Sequence, residues 1–136
     1  MPPDQREEAP VARQWLARAH GSLALAKQPK PGLAFRADLC YLGQQAAEKA
    51  LKAVYHCVGQ PHRFTHDLEE LGRGLAEHGL AVPSVIRDAV ALTRYAVETR
   101  YPGTSEPVTE SDYRRGIELA EGVVAWAERV LAEKQG

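Results

Sequence analysis

The stretch that decides the fold is Phe35-Arg36-Ala37-Asp38-Leu39-Cys40-Tyr41-Leu42-Gly43-Gln44-Gln45-Ala46-Ala47-Glu48-Lys49-Ala50-Leu51-Lys52-Ala53-Val54-Tyr55-His56-Cys57-Val58. Phe35, Leu39, Leu42, Ala46, Ala50, Ala53 and Cys57 recur at steps of three and four, the period of one helical face. A second row, Gln44, Ala47, Leu51, Val54 and Val58, is also largely apolar. A helix over 33–58 that is apolar on two flanks is packed by several neighbours and belongs at the centre of a bundle. Gly59-Gln60-Pro61 ends it.

The rest of the chain reads as helices around this one. Toward the N-terminus, Pro29-Lys30-Pro31-Gly32 is a hard stop, because two prolines and a glycine cannot extend a helix. Before it, Ala12, Leu16, Ala19, Leu23 and Ala26 form the stripe of an amphipathic helix from Ala9 to Lys27, widened by Trp15. Residues 1–8 read as a loose tail, and 9–136 as the folded domain. Beyond the central helix, Thr65 is the expected N-cap of a short helix from Asp67 to His78, buried through Leu68, Leu71 and Leu75. Val82-Pro83 opens a fourth helix to about Glu98, and a fifth starts near Glu110 or Ser111. No segment alternates with period two. The expectation is an all-α bundle of four longer helices plus one short helix.

Composition narrows the function classes. Hydrophobic residues make up 44%, enough to build a core rather than a disordered chain. A net charge of -1 gives no electrostatic footprint of a general nucleic-acid coat, so any such contact must come from a local cluster. Cys40 and Cys57 fall on one helix, about 25 Å apart at 1.5 Å rise per residue, and cannot pair. Free thiols, no apolar leader in residues 1–10 and no apolar run of the ~20 residues a membrane span needs give a cytoplasmic expectation with no membrane contact. No phosphate-binding glycine loop, dinucleotide fingerprint or zinc-protease motif occurs. The five histidines lack metal-site spacing, so neither a metal nor a cofactor is expected.

Three constellations could carry chemistry. Tyr41, Gln45, Glu48, Lys52 and Tyr55 form a polar stripe on the central helix. Its simplest reading is a solvated face; because the helix is central, the alternative is a groove or a dimer seam. In Pro61-His62-Arg63-Phe64-Thr65-His66-Asp67-Leu68, two histidines and an arginine precede a helix N-terminus, which suits an anion, and His66 is a candidate base or a capping group. In Arg94-Tyr95-Ala96-Val97-Glu98-Thr99-Arg100-Tyr101-Pro102-Gly103, two arginines could grip phosphate and Tyr101 could stack on a base, or the same residues could close a helix end.

These motifs carry a resemblance. The run from Ala37 to Ala53, with Gln44-Gln45-Ala46-Ala47-Glu48-Lys49-Ala50-Leu51-Lys52-Ala53 at its heart, resembles the second helix of HEPN domains. Thr65-His66-Asp67-Leu68 resembles that family's Thr-His-Asp-Leu, Arg100-Tyr101-Pro102 its Arg-Tyr-Pro, and Ala120-Glu121 its closing helix. The similarity runs in order over nearly the whole chain. It implies an up-and-down helical bundle, a homodimer, and binding of nucleotides or action on RNA, in many members beside a minimal nucleotidyltransferase in a toxin–antitoxin pair. Nucleotide- or RNA-binding residues would then be Arg94, Arg100, Tyr101 and His66. The ribonuclease members carry Arg, four to six residues, then His, and cleave without metal. Here Arg100 stands where that histidine is needed after Arg94, and no histidine follows Arg100. Binding is therefore the first expectation; metal-independent RNA cleavage using His66 with Arg94 and Arg100 is the alternative.

Overall fold

The computed structural model describes the backbone of residues 5–62, 64–98 and 108–135, and the side chains of 10–62, 64–93 and 108–134. Five helices follow one another: α1 (Gln5–Ala26), α2 (Arg36–Cys57), α3 (Leu68–Glu77), α4 (Ser84–Glu98) and α5 (Glu110–Gln135). No strand occurs among the described residues. The fold is an all-α bundle, as the periodicity predicts.

α2 touches all four other helices. Small residues make this possible. Ala46, Ala47, Ala50 and Ala53 are fully buried, so neighbouring backbones approach α2 closely, and Ala12, Ala19 and Ala26 of α1 are equally buried at seven-residue spacing. The two helices run antiparallel: Lys49 donates to Ser22 (2.8 Å), while Lys52 and His56, further along α2, meet Trp15, earlier on α1. α5 also runs antiparallel to α1, with Lys27 on Glu121, His20 on Glu128, and the Tyr113 hydroxyl donating to the Ala26 carbonyl. The core is completed by Leu51, Val54, Leu68, Leu71, Leu75, Leu92 and Val123.

Helix ends follow local chemistry. The Asp38 carboxylate accepts from the Phe35 amide (3.3 Å) at the start of α2. At its end Gly59 takes φ +71, the Gly59 amide bonds the His56 carbonyl and the Gln60 amide bonds that of Tyr55. This paired closure needs a left-handed residue, which glycine supplies without a Cβ clash. Gly79 (φ 90) closes α3 in the same way, the Leu80 amide reaching the Leu75 carbonyl.

Several helix starts differ from the sequence expectation: α2 begins at Arg36 rather than Leu33, leaving Phe35 outside the helix and exposed, and α4 at Ser84 rather than Val82. α1 begins at Gln5, so part of the 1–8 segment is helical; Pro10 sits inside the helix, costing one amide donor near its open end. The N-cap of α3 is Asp67, whose side chain accepts from the Glu69 amide (2.9 Å). Thr65 stands two residues earlier and accepts from the Asp67 amide instead (3.1 Å), forming a turn that leads into the cap.

Candidate functional site

The polar stripe of α2 is not solvated: Glu48, Lys52 and Tyr55 are buried, and Tyr41 and Gln45 are half-buried. The stripe also divides by role. The Tyr55 hydroxyl donates to the Leu71 carbonyl (2.7 Å), fastening α3 to α2. Glu48 and Lys52 instead make a buried ion pair, Nζ to Oε2 at 2.9 Å.

His66 lies on the solvent side of this pair. The turn at Gly59 reverses the chain, and Thr65 and Asp67 set the approach to α3, so the segment between the helices folds back over α2. His66 Nδ1 is 3.0 Å from both Glu48 oxygens. An ionised carboxylate only accepts, so Nδ1 donates and the free lone pair of neutral His66 belongs to Nε2. The imidazole is 86% exposed while Glu48 is nearly enclosed, so Glu48 orients a ring that remains open to a ligand. Gln44 reinforces the turn, its amide donating to the His66 carbonyl at 3.5 Å. Its Oε1 is buried and has no hydrogen-bond partner among the described residues.

A ring of aromatic groups adjoins the pair. The Lys52 ammonium lies 5.6 Å from the Trp15 ring centroid, within cation–π range. Trp15 stacks near-parallel on His56 (13°) and meets His62 edge-on. His56 Nε2 and His62 Nδ1 are 3.1 Å apart and share a hydrogen bond. Burial holds the His62 pKa below the usual histidine value, helped by the Lys52 and His56 charges and opposed by Glu48. His62 in turn touches Phe64, whose side chain is fully exposed.

Of the residues expected from sequence, the structure joins His66 to Glu48 and Lys52. Arg94 lies on α4, which packs on α2; its side chain, and the whole of Arg100 and Tyr101, fall outside the described residues. Trp15, His56 and Gln44 were not singled out by sequence. Trp15 reads there as part of a core face, and its approach to His56 depends on how α1 docks. A signal was nonetheless present: His56 and His62 flank Gly59 and Pro61, the residues that turn the chain back on itself. Among the described residues no three His, Cys, Asp or Glu side chains gather as a metal site would require, and no helix is long and apolar enough to cross a membrane.

A helical bundle centred on a Gln-Gln-Ala-Ala-Glu-Lys helix, with Thr-His-Asp-Leu folded over its glutamate, defines a known class. The chain belongs to the HEPN family: the model of the HEPN domain matches residues 12–130. It is also similar to a solved structure, the crystal structure of TT1696 from Thermus thermophilus. The two share 30% identity over 93% of this chain and 97% of that one, with a TM-score of 0.59. Comparison with curated proteins gave no match.

Proposed function

We propose that this HEPN chain is a nucleotide- or RNA-binding module whose ligand docks at His66, above the Glu48–Lys52 pair. The observation that carries this reading is the pair itself. Burying two charges costs several kcal/mol per ion before their attraction is counted, and apolar replacements are often neutral or stabilising. A bundle selected for stability alone has no need of such a pair under an exposed imidazole. A carboxylate that fixes the His66 tautomer gives it a use: a rigid, oriented nitrogen facing the ligand. Arg94 and Arg100 supply the phosphate contacts and Tyr101 the stacking contact in this reading. The module works as a homodimer, with a minimal nucleotidyltransferase as its partner in a toxin–antitoxin-type pair, and in the cytoplasm.

Fluorescence anisotropy with a labelled single-stranded RNA and with labelled ATP tests it. His66→Ala should weaken binding about tenfold, the loss of one hydrogen bond of about 1.4 kcal/mol. Arg100→Glu should abolish binding with helicity unchanged. If the parent protein binds neither probe, the reading fails. Co-purification with the product of a neighbouring nucleotidyltransferase gene tests the partner.

One observation favours a second reading, metal-independent RNA cleavage. Glu48 on Nδ1 leaves Nε2 of His66 as a proton acceptor, the arrangement a general base needs. RNA incubated with the parent protein and a chelator should then be cut, and His66→Ala should stop it. Intact RNA under these conditions rejects cleavage while leaving the binding reading standing.

A further inference from the structure

We infer that α1 carries a nucleobase subsite, a recess in which Trp15 stacks an unpaired base while Arg18 meets its phosphate and Gln14 its polar edge. The inference deepens the nucleic-acid reading and rests on it; it names the ligand as a base free of pairing, in single-stranded RNA or in a free nucleotide.

Gln14, Trp15 and Arg18 line a recess of about 240 Å³ on the outer side of α1. That is smaller than the ~300–1,000 Å³ of sites that enclose a drug-sized ligand, and suits a single ring system. Its lining is unusual for a bundle surface: a half-buried indole flanked by an exposed amide and an exposed guanidinium. Each group matches one part of a nucleotide. An indole stacks on any base, because every base has a π-face. A guanidinium grips phosphate oxygens. A primary amide both donates and accepts, as base edges do.

Trp15 is the contact between the recess and the candidate site. The same indole lies against the Lys52 ammonium, which is bound to the Glu48 carboxylate, which holds His66. It also touches His62, which touches the fully exposed ring of Phe64. Aromatic rings thus run from Trp15 on α1 through His62 to Phe64, in the segment before α3. Duplex RNA cannot use such a run, since its bases are stacked on one another and inaccessible to side chains. An unpaired strand can, placing one base on Trp15 and presenting its backbone toward His66.

Two measurements on the full chain test this: anisotropy of a labelled single-stranded RNA decamer, and quenching of tryptophan emission by the unlabelled decamer. Trp126 is buried in the core, so ligand quenching reports Trp15. The expected results are quenching by the decamer, much weaker binding of the same sequence as a duplex, and a loss of about 5- to 100-fold for Trp15→Leu with Trp15→Phe restoring most of it. Should Trp15→Leu fail to fold, Gln14→Ala and Arg18→Ala alter only exposed groups; each should weaken binding at least threefold with helicity intact. Quenching by AMP alone, to the same extent, assigns the recess to free nucleotides; quenching that needs the decamer assigns it to RNA. Parental affinity in Arg18→Ala and Gln14→Ala, with tryptophan emission unmoved, overturns the recess and leaves RNA binding elsewhere intact. Absence of binding by the parent protein to decamer and AMP overturns both readings.

Discussion

Glutamate stands four residues before a basic residue at Glu48–Lys52 in the middle of α2, at Glu69–Arg73 on α3 and at Glu110–Arg114 on α5, and each pair closes to 2.8–3.0 Å. In sequence they are alike. In the bundle the α2 side chains are 9% and 11% exposed, whereas the α3 and α5 side chains are all at least 60% exposed. Exposed pairs gain little, because water and salt screen them. The buried pair lies where a lost partner cannot be replaced by water. Spacing makes an ion pair; the surrounding helices decide whether it matters.

The sharpest way to break that contrast is to delete one charge from each region. Lys52→Met leaves the Glu48 carboxylate buried without its ammonium, and urea denaturation should show a loss of about 3–5 kcal/mol. The double replacement Glu48→Leu with Lys52→Met should recover most of it, because two apolar groups carry no unpaired charge. A single-variant loss below about 1 kcal/mol would place the pair with the surface ones.

Tyr55→Phe probes an uncharged polar group of the same helix. Its hydroxyl bond to Leu71 is buried, so the variant should lose about 1–2 kcal/mol, between the charged deletion and the surface pairs. Smaller again is the pH response of neighbouring His62. The folded state holds the His62 pKa below its ordinary 6.5, so the unfolded chain takes up that proton more readily. Its contribution to stability is therefore complete above about pH 6.5 and is lost as pH falls through the lowered value. Denaturation midpoints between about pH 7.5 and 5.5 should decline, and His62→Asn should flatten that slope. At the bottom, Arg73→Ala should cost no more than about 0.5 kcal/mol, falling further in 1 M salt.

The cysteines give a reactivity version of the same contrast. Burial, with the charge of Asp112, pushes the Cys40 thiol up to about 11, while Cys57 is raised by burial and pulled back by Lys134. Iodoacetamide at neutral pH should modify Cys57 first and leave Cys40 unmodified in the folded protein, as read by mass spectrometry.

Much of this was legible in the sequence, for a physical reason. Ala46, Ala50 and Ala53 are periodic because one face of α2 is shared by neighbours, and periodicity survives in the one-dimensional record. The cap of α3 was less so. Thr65 and Asp67 both carry an oxygen able to accept an amide, and only backbone geometry shows that Asp67 receives the helical amide and Thr65 the preceding one. Glu48 and Lys52 stood out as part of a polar stripe, but spacing alone left a solvated face and a groove or seam open, since charged residues at helical spacing are ordinarily solvated. The approach of Trp15 to His56 and His62 was beyond reach, although the turn between the two histidines was legible, because a contact between α1 and α2 exists only after the helices dock. The HEPN resemblance pointed at His66 without its carboxylate partner, which lies eighteen residues away.

The turn at Gly59 sets a time scale as well as a direction. His66 returns to Glu48 within eighteen residues of chain. Residues 49–57 of that span belong to α2, so the segment that closes is only about ten residues, and such a loop closes in roughly 10–100 ns. Residence times of bound partners run from milliseconds to days. An imidazole released from its carboxylate by thermal motion would thus be reseated thousands of times within one residence of a bound partner. In the binding reading proposed above, an arriving ligand would therefore find the imidazole already seated on its carboxylate, and closure of the turn would not limit how fast the ligand comes and goes.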